Sequence, residues 1–466
     1  MVFSSTIFIF GFLPIALLGN ILLRKSIKVQ NIFLLLMSLL FYAWGEPRTV
    51  FLMMISIVLN WGVAILIEQC KKKRSKVILL LLSVVYNLGA LFVFKYFTWS
   101  MEILNQITHS SHVFREIVLP IGISFYTFQA MSYVVDVYRG TAKATRSIVG
   151  VGLYISFFPQ LVAGPIVRYT DIEKQIIDRK ILLDDFSDGV LRFLKGFVKK
   201  ILLADSVAVI VNKAVSLNDL RDLGGAMAWL GAIAYTFQIF LDFSAYSDMA
   251  IGLGKMFGFT LPENFNYPYK AKTIRDFWRR WHISLSGWFR DYVYIPLGGN
   301  RKSKARTYFN LAVVWLLTGI WHGADWNFVF WGVAYGICIM LERAFDIDKQ
   351  IEKSRIIAFV YRILTCLIII VLWVPFRIED AKSALYYIQK MFDPIGFSHN
   401  IDLVILYLSE YKWELLGCIF CSFIILPKNK NKIWACTEMA LIYVLFIVAI
   451  SYLVKGTYSP FLYFNF

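Results

Sequence analysis

Apolar runs long enough to cross a lipid bilayer recur from one end of this sequence to the other. A spanning helix needs about 20 apolar residues. The clearest candidates are Phe3–Leu23, Val50–Ile67, Val77–Phe97, Ala226–Phe257, Ile356–Val374 and Ile433–Val454. Together with shorter runs they predict about 11 membrane-spanning helices. Only 17% of the 466 residues are charged, against about one quarter in soluble domains. We therefore predict a single, all-α, polytopic membrane domain.

Two apolar stretches in the middle of the chain are interrupted by proline and glycine. Ile117–Tyr138 contains Pro120 and Gly122, and Val151–Val167 contains two further prolines. Non-helical backbone at membrane depth is tolerated only where protein or a water-filled cavity covers it. We therefore expect broken or re-entrant helices here, which mark functional interiors more often than lipid-facing surfaces.

The charged residues predict how the chain crosses the membrane. Lys and Arg collect in cytoplasmic loops of membrane proteins, which explains a net charge of +17 without a nucleic-acid partner. The first charged residue, Arg24, follows the first apolar run, so we expect residue 1 outside the cell and no cleavable signal. The basic loop from Lys71 to Lys76 is then cytoplasmic, and the tail Lys455–Phe466 ends on the outer side.

The segment Tyr267–Arg306 differs in composition from the apolar runs around it. It contains ten basic residues and two acidic ones, with Phe and Trp side chains interleaved among them. This pattern predicts an interfacial helical segment that lies along the cytoplasmic face of the membrane.

Two of the five histidines, His282 and His322, stand out by their surroundings. His282 lies inside the basic segment, and His322 lies near the end of an apolar span. Ionisable residues at membrane depth indicate function by default, and histidine suits proton transfer near neutral pH. Gly319 and Gly323 would let another chain or a ligand approach His322, and Asp325 would orient its ring if one helix carried both. A structural histidine bonded to a backbone carbonyl is the alternative interpretation.

Two carboxylates, Asp242 and Asp248, interrupt the apolar run around Phe240–Asp248. They predict a proton relay, a helix-packing network or a polar pocket for the acceptor, and networks of this kind are more often structural. The sequence contains no zinc-ligand spacing, phosphate-binding glycine loop or haem signature, so we expect no metal site.

These residues lie within longer motifs that occur in a fixed order. The motifs are Leu119–Phe125, Phe158–Pro165, Asp242–Asp248, Glu263–Phe265 with Tyr267–Pro268, Asp276–Leu285, Tyr294–Gly299, Trp321–Gly323 and the ending Pro460–Phe466. In order and composition they resemble the membrane-bound O-acyltransferases, in particular the branch that acetylates alginate, peptidoglycan and cellulose. The resemblance extends over nearly the whole chain.

The resemblance implies a fold and a reaction. The fold is a ring of spanning, re-entrant and interfacial helices around a central funnel that opens to the cytoplasm. We divide the domain into N-terminal helices (1–116), a catalytic core (117–345) and C-terminal helices with an outer tail (346–466). His322 matches the family's invariant catalytic histidine, and His282 matches its second histidine. The donor is a cytoplasmic thioester, here acetyl-CoA, and no cofactor is permanently bound.

The resemblance also implies where the donor and the acceptor bind. Arg279, Arg280, Trp281 and Arg290 are candidates for donor binding, since arginines suit phosphate recognition. The ordinary excess of basic residues in cytoplasmic loops explains the same charges. Members of this branch reside in the bacterial plasma (inner) membrane and pass the acyl group to an SGNH-type partner outside, which esterifies a polysaccharide.

The C-terminal sequence supports a separate hypothesis about Tyr463. Its ending, from Phe461 to Phe466, resembles the terminal motif of the small partner subunit in teichoic-acid D-alanylation, where a tyrosine carries the acyl group. We therefore predict that Tyr463 accepts the acyl group near His322. The alternative is an aromatic anchor at the membrane interface, in contact with lipid.

Three other functions fit parts of this pattern. The same fold could transfer D-alanine or another acyl group from a carrier-protein thioester. A transporter of polysaccharides or lipid-linked sugars would keep its activity without His322. A membrane scaffold for an envelope-modifying complex would need neither His322 nor Tyr463.

Overall fold

A computed structural model describes residues 1–110, 112–113, 117–425, 432–455 and 461–462. All regular secondary structure in these residues is helical, which confirms the predicted all-α class. The chain forms two compact units. The first comprises Met1–Lys195 and Tyr246–Pro262, and the second comprises Gly196–Ala245 and Glu263–Leu462.

The first unit is built from the N-terminal helices. In chain order these are α1 (Leu13–Leu22), α2 (Ile27–Gly45), α3 (Val50–Gln69), α4 (Lys73–Leu91), α5 (Phe97–Thr108), α6 (Ile123–Arg139), α7 (Ile148–Ser156), α8 (Tyr169–Ile177) and most of α9 (Leu183–Val198). Its core is rich in aromatic residues. For example, the ring centroid of Phe8 lies 6.0 Å from that of Phe41 and 6.3 Å from that of Phe158.

The second unit contains the histidines singled out above. Its helices are α10 (Asp205–Asp219), most of α11 (Gly225–Met256), α12 (Ile274–Arg280), α13 (Ile283–Phe289), α14 (Lys304–His322), α15 (Trp326–Ala344), α16 (Ile347–Lys353), α17 (Arg355–Arg377), α18 (Ala381–Met391), α19 (Ile401–Glu410), α20 (Lys412–Phe423) and α21 (Lys432–Lys455). Five of them begin at a residue whose side chain accepts a backbone N–H of the first turn, which stabilises that end. These residues are Thr273, Ser303, Asp325, Ser354 and Asp380.

Within the described residues, six helical segments are long and apolar enough to cross a membrane. They are Ile27–Gly45, Val50–Gln69, Lys73–Thr108, Gly225–Met256, Arg355–Arg377 and Ile433–Lys455. The pair α15 and α16, bent by 58°, raises the number to seven if it counts as one span. The chain is therefore a multi-pass membrane protein, whereas the predicted number of about 11 spans is not confirmed.

The breaks expected in the two proline- and glycine-containing stretches are present. α6 begins directly after Gly122, whose φ of +74° favours glycine. α7 ends at Ser156, and a series of turns follows. Phe158 and Leu161 in these turns have 0% exposure. A Cβ on Gly122 would lie 2.8 Å from the carbonyl oxygen of Leu161, so the two breaks pack against each other. Protein covers this non-helical backbone, as a membrane interior requires.

The basic segment is a series of short helices rather than one continuous helix. α12 and α13 have seven residues each. Between them His282 has a φ of +45°, a left-handed conformation that interrupts a helix. After α13, a π-helical turn (Arg290–Tyr294) leads into turns at Gly298 and Gly299, whose φ values of +107° and +55° favour glycine.

Glycines allow α14 and α15 to approach each other closely. A Cβ on Gly332 of α15 would lie 2.5 Å from the carbonyl oxygen of Trp315 and 2.9 Å from the Cα of Gly319, both on α14. A Cβ on Gly319 would overlap the carbonyl oxygen of Phe328. Small residues at such crossings let helix backbones pack directly. At Gly319 the segment that approaches closely is α15 of the same chain.

We predict that Gly332→Ala destabilises the protein, because its methyl group would meet backbone atoms that cannot move aside. Overpacking of this kind costs about 1–3 kcal/mol, which a thermal-melting assay of the detergent-purified protein detects as a lower apparent Tm. Gly62→Ala is the matched control, since a Cβ at Gly62 has no neighbour within 4 Å. Equal melting temperatures for the two variants would contradict the tight crossing.

Candidate active site

His322 is the last residue of α14, and only 2% of its surface is exposed. Three aromatic rings surround its imidazole. The ring centroids of Trp321, Trp331 and Phe376 lie 4.9, 5.0 and 5.3 Å from the imidazole centroid. All three rings are steeply inclined to the imidazole, at 75° to 83°. Since Trp331 belongs to α15 and Phe376 to α17, three helices form this aromatic box.

The structure corrects the expected relation between Asp325 and His322. α14 ends at His322, and Gly323 is extended with a φ of −168°, so no helix carries both side chains. The Asp325 carboxylate instead accepts the backbone N–H of Asn327 at 2.8 Å and caps α15. The Asn327 amide donates to the carbonyl oxygen of Ile378 at 2.5 Å. Asp325 therefore caps the start of α15, and Asn327 holds that start beside the end of α17.

His282 lies between α12 and α13 and is 1% exposed. Its Nδ1 is 3.2 Å from the Asn264 side-chain oxygen. That oxygen also accepts the backbone N–H of Ser284 at 3.2 Å and its hydroxyl at 2.8 Å. An amide oxygen carries no hydrogen and only accepts, so Nδ1 carries the proton of the neutral ring and Nε2 carries the lone pair.

The two histidines contact the same indole ring. The Trp321 centroid lies 6.0 Å from the His282 centroid and 4.9 Å from the His322 centroid. On its other side His282 meets Phe243 of α11, with centroids 4.8 Å apart. The structure therefore brings together the two histidines that the sequence singled out, in surroundings of aromatic rings.

Burial keeps the His282 imidazole neutral. Its pKa falls from 6.5 to about 3, because the aromatic surroundings disfavour the charged imidazolium. A neutral imidazole with a lone pair on Nε2 can accept a hydrogen bond, whereas the lowered pKa makes this ring a poor acceptor of a proton.

The three arginines predicted to bind the donor lie in different surroundings. Arg279 and Arg290 are exposed, and the Arg290 Nε is 2.7 Å from Asp291. Arg280 is half-buried and pairs with Asp276, one turn earlier on α12, at 2.9 Å. Exposed guanidinium groups on two short helices can meet phosphate oxygens without breaking any buried contact.

Trp281, the remaining candidate for donor binding, is buried in this structure. Only 1% of its surface is exposed, and its ring packs against Phe277 and Trp373 with centroids 5.6 and 5.0 Å away. The other end of α12 is held by Glu342, which accepts the N–H groups of Ile274 and Arg275 at 2.6 and 3.0 Å. Trp281 therefore anchors the basic segment in the core.

Asp242 and Asp248 are both paired with cations. The Asp242 carboxylate lies 2.7 Å from the Lys200 ammonium in the second unit. The Asp248 carboxylate lies 3.0 Å from Nη2 of Arg192 in the first unit. Lys200 is 2% exposed and also contacts Asp205 at 2.7 Å. Among the interpretations considered above, these pairs favour a packing network.

The predicted carrier Tyr463 lies outside the described residues, whereas its predecessors Phe461 and Leu462 lie within them. Among the described residues, no group of three or more His, Cys, Asp or Glu side chains could hold a metal ion.

Sequence reasoning missed four residues that position this site: Lys200, Asn264, Trp331 and Glu342. Lys200 and Glu342 carried a usable signal, because a charged residue in an apolar stretch needs a partner. Asn264 lies inside the family-like motif around Glu263–Phe265, but nothing there pointed to His282. Trp331 looked like any other aromatic residue of an apolar helix.

We predict that His282 makes the protein less stable in acid. The unfolded chain takes up a proton at this ring below about pH 6.5, whereas the folded protein resists it down to about pH 3. The free energy of unfolding should therefore fall from pH 6.5 towards pH 3, by up to about 1.4 kcal/mol per pH unit for this one group. His282→Asn should reduce the loss of apparent Tm between pH 7.5 and pH 5.

His109→Asn is the matched control for this measurement. His109 is exposed and has a similar left-handed φ of +51°, which asparagine tolerates. We expect it to keep the pH dependence of the wild type. An unchanged pH dependence in His282→Asn would contradict the effect of burial on the pKa of His282.

Comparison with known proteins places this geometry in a family. Residues 142–375 match the family described as MBOAT, membrane-bound O-acyltransferase family. This range includes both histidines, the basic segment and the Lys200–Asp242 pair.

Individual relatives extend the similarity beyond that range. The chain is 44% identical to "Probable alginate O-acetylase AlgI" of Azotobacter vinelandii over 84% of this chain and 78% of the relative. It is 32% identical to the peptidoglycan O-acetyltransferase of Helicobacter pylori over 100% of this chain and 98% of the relative. It is 28% identical to the teichoic acid D-alanyltransferase of Bacillus subtilis over 48% of this chain and 59% of the relative. The chain therefore belongs to the membrane-bound O-acyltransferase family and is an enzyme of O-acyl transfer.

Proposed function

We propose that this acyltransferase moves an acetyl group from cytoplasmic acetyl-CoA across the bacterial plasma (inner) membrane. The acetyl group serves O-acetylation of an envelope or exopolysaccharide of the alginate, peptidoglycan or cellulose type. The names of the alginate and peptidoglycan relatives support acetyl as the acyl group. Acetyl-CoA is a substrate here, and the proposed reaction uses no resident cofactor or metal.

The observation that carries this proposal is the burial of His322 in its aromatic box. A general base must reach the acceptor hydroxyl while water, which would hydrolyse the thioester, stays out. Trp321, Trp331 and Phe376 surround the imidazole with apolar surface and leave it 2% exposed. His282, held by Asn264, lies against the same indole and supplies a second neutral imidazole.

The proposed chemical step is general-base catalysis. His322 removes the proton from an acceptor hydroxyl, and the hydroxyl oxygen attacks the thioester carbonyl carbon. The new C–O bond forms as the C–S bond breaks. The CoA thiolate leaves toward the cytoplasm and takes the proton from His322, which restores the neutral base. The exposed Arg279 and Arg290 bind the phosphates of CoA.

The acceptor hydroxyl is that of Tyr463 in this proposal. The tyrosyl ester forms from the cytoplasmic donor and passes to an SGNH-type partner on the outer side, which esterifies the polysaccharide. Membrane lipid surrounds the spanning helices, and nucleic acid has no part in the reaction.

A second candidate has the same chemistry with a different acyl group. The similarity to a teichoic acid D-alanyltransferase over half of the chain supports D-alanyl transfer from a carrier-protein thioester. A donor assay separates the two candidates: purified protein should release free thiol from acetyl-CoA, or else from a D-alanyl carrier protein.

We predict that His322→Ala removes O-acetyl groups from one class of envelope polysaccharide. Loss of a general base lowers the rate by about 10²–10⁴-fold, so the acetyl content should fall to background. The measurement is the acetyl content of the purified polymers from cells with wild-type or variant protein at equal membrane levels.

His109→Ala serves as the control, since it removes an exposed histidine, and it should leave the acetyl content unchanged. If every polymer stayed acetylated in His322→Ala cells, His322 would not be the base for acetyl transfer.

We predict that Tyr463→Phe abolishes transfer to the polymer while the protein still inserts and folds, because only one hydroxyl is lost. Mass spectrometry of the C-terminal peptide, after incubation with acetyl-CoA, should find an acetyl ester in the wild type and none in the variant. Tyr458→Phe is the control from the same tail. Normal polymer acetylation in Tyr463→Phe would rule out the carrier role.

A further inference from the structure

Lys200 is a buried cation with more than one carboxylate around it. It lies in the π-helical turn Lys199–Ala204, with 2% of its side chain exposed. Its ammonium lies 2.7 Å from Asp242 of α11 and 2.7 Å from Asp205 at the start of α10. A buried ammonium requires such partners, because its desolvation is unfavourable. Two carboxylates around one ammonium leave a negative charge that attracts hydrogen-bond donors.

The C-terminal segment of the chain meets both members of this ion pair. The second carboxylate oxygen of Asp242 accepts the backbone N–H of Leu462 at 2.8 Å. The Lys200 ammonium lies 4.8 Å from the centroid of the Phe461 ring, within the range of a cation–π contact. Phe461 is 1% exposed. Two neighbouring residues are therefore held by two different interactions, one through the backbone and one through the side chain.

We infer that Lys200 and Asp242 form a docking site for the C-terminal segment of this same chain and act as positioning residues for Tyr463. Tyr463 directly follows Leu462 in the sequence. The docking itself rests on the contacts above, whereas its importance for acyl transfer rests on the carrier role proposed for Tyr463.

A buried ion pair indicates a role other than stability, because charged side chains are not the most stable residues for packing a helix interface. Apolar side chains of similar volume often stabilise such an interface equally well or better. They would also cover the Phe461 ring, but they could not accept the Leu462 N–H. A charge-assisted hydrogen bond is roughly twice as strong as a neutral one and has a defined direction. Together with the contact between Lys200 and the Phe461 ring, this bond fixes which residue of the tail occupies this position.

The docking is tested by digestion with a carboxypeptidase followed by intact-mass measurement of the full-length purified protein. In the wild type, digestion should slow before Leu462 and Phe461. The double variant Lys200→Met with Asp242→Leu replaces both charges with apolar groups, so that the interface stays filled. It should lose these two residues at least about tenfold faster, since a hydrogen bond to a charged group no longer holds them.

Lys199→Met is the matched control for this digestion. Lys199 precedes Lys200 in the same turn, and its ammonium donates to the Ser244 hydroxyl at 3.0 Å. We expect its digestion to follow the wild type. Equal removal of Leu462 and Phe461 in the double variant and in Lys199→Met would overturn the docking site.

A second pair of variants tests the positioning role without touching the ion pair. Leu462→Pro removes the N–H that Asp242 accepts, whereas Leu462→Ala keeps it. The acetyl ester on the C-terminal peptide should fall about tenfold in Leu462→Pro and stay near the wild-type level in Leu462→Ala. Equal ester formation in the two variants would overturn the positioning role.

The outcomes separate this inference from the proposed function. If the double variant exposes the tail to digestion but Tyr463→Phe still acetylates the polymer, the docking site stands and the carrier role fails. If Tyr463→Phe abolishes acetylation but the double variant digests like the wild type, the carrier role stands and the docking site fails.

Discussion

The direct backbone contact between α14 and α15 is the constraint on which the site depends. Gly319 and Gly332 let the two helices touch where any side chain would collide with backbone atoms. This contact brings Trp331 of α15 to the imidazole at the end of α14, 5.0 Å away. The capped start of α15 then binds the end of α17 through Asn327, which places Phe376 on the remaining side. The aromatic box thus depends on Gly319 and Gly332, because neither residue has a side chain that would hold the two helices apart.

In this part of the molecule the charged arginines lie on the surface, whereas the neutral His282 is buried. The short helix α12 and the π-helical turn after α13 carry arginines on the surface, while Phe277, Trp278 and Trp281 hold α12 in the core. His282, only two residues after Arg280, is buried and neutral because its pKa is depressed to about 3. In the proposed function, the phosphates of CoA bind to arginines on the protein surface, and the thioester lies beside the buried histidines. Such a division suits acyl transfer, because a protonated imidazole could not act as the base.

The sequence predicted the class of the fold and singled out two histidines that the structure brings to the same indole ring, because both inferences depend on local pattern. Long apolar runs predict membrane helices directly, and a histidine within such a run is rare enough to indicate a function. The burial of Trp281 and the capping position of Asp325 were not predicted, because burial and helix ends depend on neighbours far along the chain. The partners of Asp242 and His282 were missed for the same reason: Lys200 and Asn264 lie 42 and 18 positions away. The predicted number of about 11 spans is not confirmed, because composition alone does not separate short buried helices from spanning ones.

The C-terminal segment must be held in one register, so that a particular residue of the tail occupies each position against the protein. Apolar contacts hold a segment against a surface, but they allow it to slide along its own direction. A slip of one residue would move a side chain by about 3.5 Å along an extended chain, and general-base catalysis requires the acceptor oxygen within roughly 3 Å of the imidazole nitrogen. If packing alone held the aromatic C-terminal segment, the Tyr463 hydroxyl would therefore occupy several different positions. The backbone hydrogen bond from Leu462 to Asp242 and the cation–π contact between Phe461 and Lys200 together select one register, which gives the Lys200–Asp242 pair a function that an apolar core could not supply.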